Sequence, residues 1–160
     1  MNIESITIFL ALVCIHWVTD FVLQDEQWAI NKWTSFKALV SHTLMYSLSF
    51  GLFLGIFLFF KQGYVTGFQT YLYPVLEFLS YNQGFKPSLL LVYVPLLIFV
   101  GITFVLHTLT DFLTSKVVHG LFENKKFGSP IPNLGAFSAI GFDQVLHYIQ
   151  LVLTYYLCFR

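Results

Sequence analysis

Hydrophobic residues run almost unbroken through four stretches of this chain, at about residues 5–23, 38–60, 89–113 and 137–159. Each approaches the roughly 20 predominantly apolar residues that a helix needs to cross the hydrocarbon core of a bilayer. The pattern therefore predicts an all-α membrane protein, a four-transmembrane-helix bundle forming one domain over residues 1–160. Pro95 falls in the first turns of the third span, where a missing backbone donor is best tolerated. Residues 63–87 are aromatic but interrupted by Pro74 and Glu77. They are expected to form an interfacial helix or covering loop between spans two and three rather than a fifth span.

The polar residues inside these stretches are not scattered. His16 and Asp20 lie near the end of the first run, His42 near the start of the second, His107 and Asp111 at the end of the third, Asp143 and His147 at the start of the fourth. Successive spans reverse direction, so end, start, end, start describes a single depth. Ionisable groups at membrane depth are costly and by default mark a functional site facing the bundle interior.

The spacing carries the chemistry. Residues four apart on a helix are separated by about 40° around the axis and about 6 Å along it. His16/Asp20, His107/Asp111 and the reversed pair Asp143/His147 should each project together, as the two histidines of a zinc-binding H-E-x-x-H helix do. Seven nitrogen and oxygen donors at one depth suit a divalent metal, with zinc leading and manganese or iron as alternatives. One four-coordinate zinc needs fewer donors than seven. The expectation is either two ions or one ion accompanied by free acid and base groups, with His42 and Asp143 as the candidate catalytic residues. Gln24 and Gln144 could orient these groups, whereas Thr19 and Thr110 are expected to bond back to their own helices. His119 sits in a basic loop beside Lys116 and is excluded, and Asp25 and Glu26 are expected to face water. For any single pair, an ordinary interhelical hydrogen bond is the better explanation; three pairs and a further histidine at matched depth point to a shared ion.

Composition bears on class and orientation. Charged residues make up 10% of the chain and hydrophobic ones 57%, against about 25% charged in soluble domains. A formal net charge of zero gives no reason to invoke nucleic acid. The bilayer is the expected partner, with an anionic or lipid-linked small molecule as substrate. Cys14 falls near mid-bilayer and Cys158 at the end of the last span, so no disulfide is expected. The opening residues lack a basic segment and a small-residue cleavage site, so the first span is expected to be retained. Loops after spans one and three carry Lys32, Lys37, Lys116, Lys125 and Lys126, against Lys61, Lys86 and Arg160 on the other face. That bias places the first and third loops in the cytoplasm and both termini outside. Trp28 and Trp33 then suit headgroup-level anchors, and the lysines could also steer an anion.

The chain also echoes itself. His-Trp-Val-Thr-Asp-Phe (16–21) matches His-Thr-Leu-Thr-Asp-Phe (107–112) at four of six positions, and Val40/His42 match Val145/His147, with Ala38 at the place of Asp143. Two hairpins of like direction would be related by an axis along the membrane normal.

The motifs HWVTDFVLQ (16–24), the downstream Lys32, LVSH (39–42), HTLTDF (107–112) and FDQVLH (142–147) resemble, in order and over nearly the whole length, the domain of unknown function 3307 family. That resemblance implies a small integral protein of a bacterial inner membrane or of a phage, and implies no activity. A looser similarity to small inner-membrane metal-dependent hydrolases lacks their His-Arg motif. The leading expectation is a membrane-embedded metal-dependent hydrolase. The alternatives are a metal-ion or proton-coupled transporter built on the same donors, and a structural or regulatory membrane subunit.

Overall fold

The computed structural model describes residues 3–61, 87–124 and 134–159. All of their regular structure is helical. Helix α1 (Ile3–Trp17) passes into a π-helical turn (Val18–Val22), followed by the short α2 (Glu26–Asn31), then α3 (Phe36–Lys61), α4 (Pro87–Asn124) and α5 (Leu134–Phe159). Four of these are long and apolar enough to cross a membrane, over Ile3–Val22, Phe36–Leu58, Tyr93–Glu123 and Gly135–Phe159. The four-span bundle expected from the hydropathy pattern is the observed fold. The expected interfacial segment at 63–87 lies outside the described residues, apart from Pro87, which opens α4.

Each long helix packs against two others, α1 on α3 and α5, and α4 on α3 and α5. The four close a ring in which α1 faces α4, and α3 faces α5, across a common axis. The half of the axis away from α2 is filled by Leu12, Phe50, Leu54, Phe99, Leu151, Tyr155 and Phe159, all buried. The half towards α2 holds the histidines and aspartates.

Local chemistry accounts for the departures from four plain helices. The Thr19 hydroxyl donates to the carbonyls of Ile15 and His16, competing with the α-helical ladder as threonines do. The ladder widens there, and the Leu23 amide reaches back to the Val18 carbonyl at 2.9 Å. Single π turns of this kind recur at functional sites, and this one carries Asp20. Asp25 caps α2, accepting from the amides of Gln27 and Trp28, which delivers Lys32 to the end of that helix.

Helix α4 runs 38 residues, about 57 Å at the standard rise and well beyond the ~30 Å hydrocarbon core. The apolar run ends at Leu113, but helix propensity does not, so the helix continues past the expected boundary as an extension. Trp33 stacks on His119 of that extension, ring centroids 3.5 Å apart. The helix begins at Pro87, so Pro95 lies in its third turn. At the α3–α4 seam, Gly51 is buried and faces Val100, and Gly55 one turn on faces Leu96. A glycine pair at this spacing lets two membrane helices approach closely.

Candidate metal centre

The seven expected residues converge. His16, His107 and His147 are fully buried, His42 and Asp111 are 1% exposed, Asp20 5% and Asp143 8%. Groups on opposite helices of the ring are in reach of one another: Asp20 Oδ1 of the π turn stands 3.5 Å from His107 Nε2 on α4. The cluster therefore lies on the bundle axis, not in one helical hairpin.

Its centre is a set of four donor atoms. His42 Nε2 and His107 Nε2 are 3.4 Å apart. Asp20 Oδ1 is 3.2 Å from the first and 3.5 Å from the second, and Asp111 Oδ2 is 3.1 Å and 3.7 Å from the same two nitrogens. Zinc held tetrahedrally at about 2.0–2.1 Å by nitrogen and oxygen has ligands about 3.3–3.4 Å apart. The separations within the Asp20, His42 and His107 triad, 3.2, 3.4 and 3.5 Å, bracket that edge length, and Asp111 Oδ2 stands beside the two histidines. Asp20 Oδ1 is buried and makes no hydrogen bond, despite the two imidazole nitrogens beside it. An unsatisfied carboxylate oxygen is expensive in such surroundings, and a shared cation would satisfy it. The donor set fits a divalent ion.

His147 and Asp143 flank this set. His147 Nε2 lies 3.4 Å from Asp111 Oδ1 and 3.4 Å from Asp143 Oδ1. Stacking orients the rings where hydrogen bonds do not: His107 is sandwiched between Tyr46, at 3.9 Å, and His147, at 4.1 Å. His16 is placed differently from the other histidines. Gln144 Oε1, which can only accept, sits 2.7 Å from His16 Nε2, so that nitrogen carries the proton. Nδ1 then accepts from the Tyr46 hydroxyl at 2.8 Å. With both nitrogens engaged, His16 braces the centre rather than offering it a lone pair. Gln144 also donates to Asp143 Oδ2 at 3.2 Å.

Lys32 takes a larger part than a steering charge. Its ammonium bonds Asp111 Oδ2 at 2.8 Å, and its side chain, 20% exposed, is the most accessible charged group at the centre. Burial alone would lower its pKa, but the carboxylate of Asp111, with Asp20 and Asp143 behind it, outweighs burial and holds it above the ordinary lysine range. In the sequence only the motif resemblance sets Lys32 apart from Lys37; the placement of α2 brings it to Asp111. Tyr46 escaped sequence reading as well, because an aromatic residue in an apolar span looks like packing.

Other expectations sort cleanly. Thr110 bonds back to the Leu106 carbonyl, and its hydroxyl also reaches Gln150 Oε1. Asp25 caps α2, His119 pairs with Glu123 away from the centre, and both cysteines are free. No contact joins Gln24 to the cluster among the described residues.

The internal echo has a geometric counterpart. His16–Asp20 and His107–Asp111 separate by 3.8 and 3.7 Å, and Asp20–His42 and Asp111–His147 by 3.2 and 3.4 Å. The ring pairs His42/His107 and His147/His16 lie 5.4 and 5.5 Å apart. Asp143 and Lys32 break the correspondence.

Residues 8–67 match the model of the family described as Protein of unknown function (DUF3307), which bears out the resemblance over a stretch containing His16, Asp20, Lys32 and His42. No curated protein and no solved structure matches the chain.

Proposed function

We propose that this DUF3307-like protein is a membrane-embedded, divalent-metal-dependent hydrolase of the bacterial inner membrane, with its site in the cytoplasmic half and both termini outside. The observation that carries the reading is the triad of Asp20, His42 and His107, spaced like three corners of a zinc site, overlapping at His107 a second triad with Asp111 and His147, and including a buried Asp20 oxygen that makes no hydrogen bond. A divalent ion held there supplies Lewis-acid polarisation of a phosphoryl or acyl oxygen. The chain's own residues do the rest. Lys32, at the most accessible side of the cluster, pairs with an anionic group of the substrate. With one ion bound, Asp143, whose Oδ2 accepts from Gln144 and whose Oδ1 faces His147, is positioned to take a proton, and His42 serves as a ligand.

A groove of about 280 Å³ runs between the α4 extension and α5, lined by Leu113, Val117, Phe142 and Leu146 among others. Phe142 and Leu146 immediately precede Asp143 and His147 in sequence, so the groove runs along the same turns of α5 that carry the cluster. This supports a lipid-linked substrate. Transport by the same donors is less well supported, because beyond the buried Ser47, Thr103, Gln150 and Thr154 the described part of the axis is filled by Phe50, Leu54 and Phe99.

The test is elemental analysis of protein purified gently without chelator, together with hydrolysis of phosphate-ester and lipid-phosphate substrates. Bound zinc, manganese or iron, absent from His107→Ala, and activity lost with it are expected. Wild-type protein that neither retains nor takes up a divalent ion defeats the proposal.

A further inference from the structure

We infer that the centre holds two adjoining cation positions bridged by the Asp111 carboxylate, and that its substrate is a phosphomonoester dianion; this rests on the metal reading above. Asp111 faces two ways. Its Oδ2 stands beside His42 and His107, while its Oδ1 lies 3.4 Å from His147 Nε2. On that second side, the donor atoms of His107, Asp111 and His147 all lie within 4.8 Å of one another, and Asp143 Oδ1 adds a further oxygen 3.4 Å from the same nitrogen.

The second position has its own independent mark. Neither ring nitrogen of His147 makes a hydrogen bond, and neither does Asp143 Oδ1, although all three atoms are buried. His147 is 0% exposed, and a wholly buried imidazole without a single hydrogen bond is rare among folded proteins. The two imidazoles that would serve the two positions, His107 and His147, are stacked 4.1 Å apart. Rings stacked this closely would set the two positions side by side, as the ions of two-metal phosphoryl-transfer sites are. A carboxylate between them, one oxygen to each, is how such pairs are held.

Charge selects the substrate. Ligands take up a metal as carboxylate and neutral imidazole, so in the loaded form Asp20, Asp111 and Asp143 against the ammonium of Lys32 contribute minus two. One divalent ion brings it to neutrality; two bring it to plus two, and a buried cluster at plus two calls for a dianion. A phosphate monoester carries between about −1.5 and −2 at neutral pH, whereas a diester or a carboxylic ester falls short. Lys32, at the accessible side, stands where a phosphate oxygen would enter.

The experiment uses the full-length chain in detergent micelles or nanodiscs, loaded with Mn²⁺ and freed of excess. Metal per chain is measured by elemental analysis, coupling by electron paramagnetic resonance, and orthophosphate affinity by calorimetry. Wild type should hold two Mn²⁺ per chain with an exchange-coupled spectrum. Asp143→Ala should hold one, show an uncoupled spectrum, and bind phosphate at least about tenfold more weakly; Asp143→Asn, the gentler change, should do the same. One uncoupled ion in wild type overturns this inference and leaves the metal reading standing, and so do two ions undiminished in both variants. No ion in wild type overturns the metal reading itself. If both variants fail to fold, the wild-type stoichiometry and spectrum decide alone.

Discussion

Replacing Gly51 with alanine adds one methyl group to the seam between α3 and α4. The new Cβ would lie less than 3.0 Å from Val100 Cγ2 and 3.8 Å from Val100 Cβ, where ordinary carbon contacts need about 3.5–4.0 Å. Valine is stiff about χ1 on a helix, so its methyl group does not swing aside cheaply, and the helices must part by roughly 1 Å. Overpacking of this kind costs about 1–3 kcal/mol. The same seam carries the 3.4 Å separation of His42 Nε2 and His107 Nε2, seven to nine residues further along each helix. Metal–ligand distances hold to about 0.2 Å, so opening that separation by half an ångström already leaves one histidine out of reach. If about 1.4 kcal/mol of the cost falls on the metal-loaded arrangement, affinity drops tenfold. Zinc titration against a competing chelating dye, with thermal unfolding in the same detergent, should show both losses in Gly51→Ala. Val100→Ala removes the obstructing methyl group, so the double variant should recover most of each; the cycle isolates the seam. Wild-type affinity and unfolding midpoint in Gly51→Ala, or no recovery in the double variant, would refute the link between glycine packing and site geometry.

Tyr46→Phe keeps the ring stacked on His107 but leaves His16 Nδ1 buried without its donor; unfolding in denaturant should show a loss of about 1–3 kcal/mol. Lys32→Ala strips Asp111 of its ammonium and should cost the metal-free protein about 1.5–3 kcal/mol. Added zinc should restore most of the midpoint, and equal losses with and without zinc would contradict a shared role for ammonium and ion. Phe50→Ala opens the apolar plug and should cost roughly 3 kcal/mol or more while bound metal, measured by elemental analysis, stays at the wild-type level. Chelator treatment should lower the wild-type midpoint reversibly and leave that of a His107→Ala/Asp20→Ala double variant unmoved, as followed by thermal scanning.

Four spans and seven polar residues at one depth were legible from the chain alone, because hydropathy reports the bilayer and an ionisable side chain within it needs a reason to be there. The spacing of His16/Asp20, His107/Asp111 and Asp143/His147 further determined that each pair shares a helix face. Tertiary packing decided what each member does. His16 and His107 occupy equivalent places in the repeated motif, yet one has both nitrogens taken by Tyr46 and Gln144 and the other faces the aspartates. The turn that re-aims Asp20, the reach of Lys32 from α2 to Asp111, and the glycine seam that sets the α3–α4 distance depend on which surfaces meet. Periodicity places a side chain at a depth and on a face; which of its atoms remain free is set by neighbours from other helices.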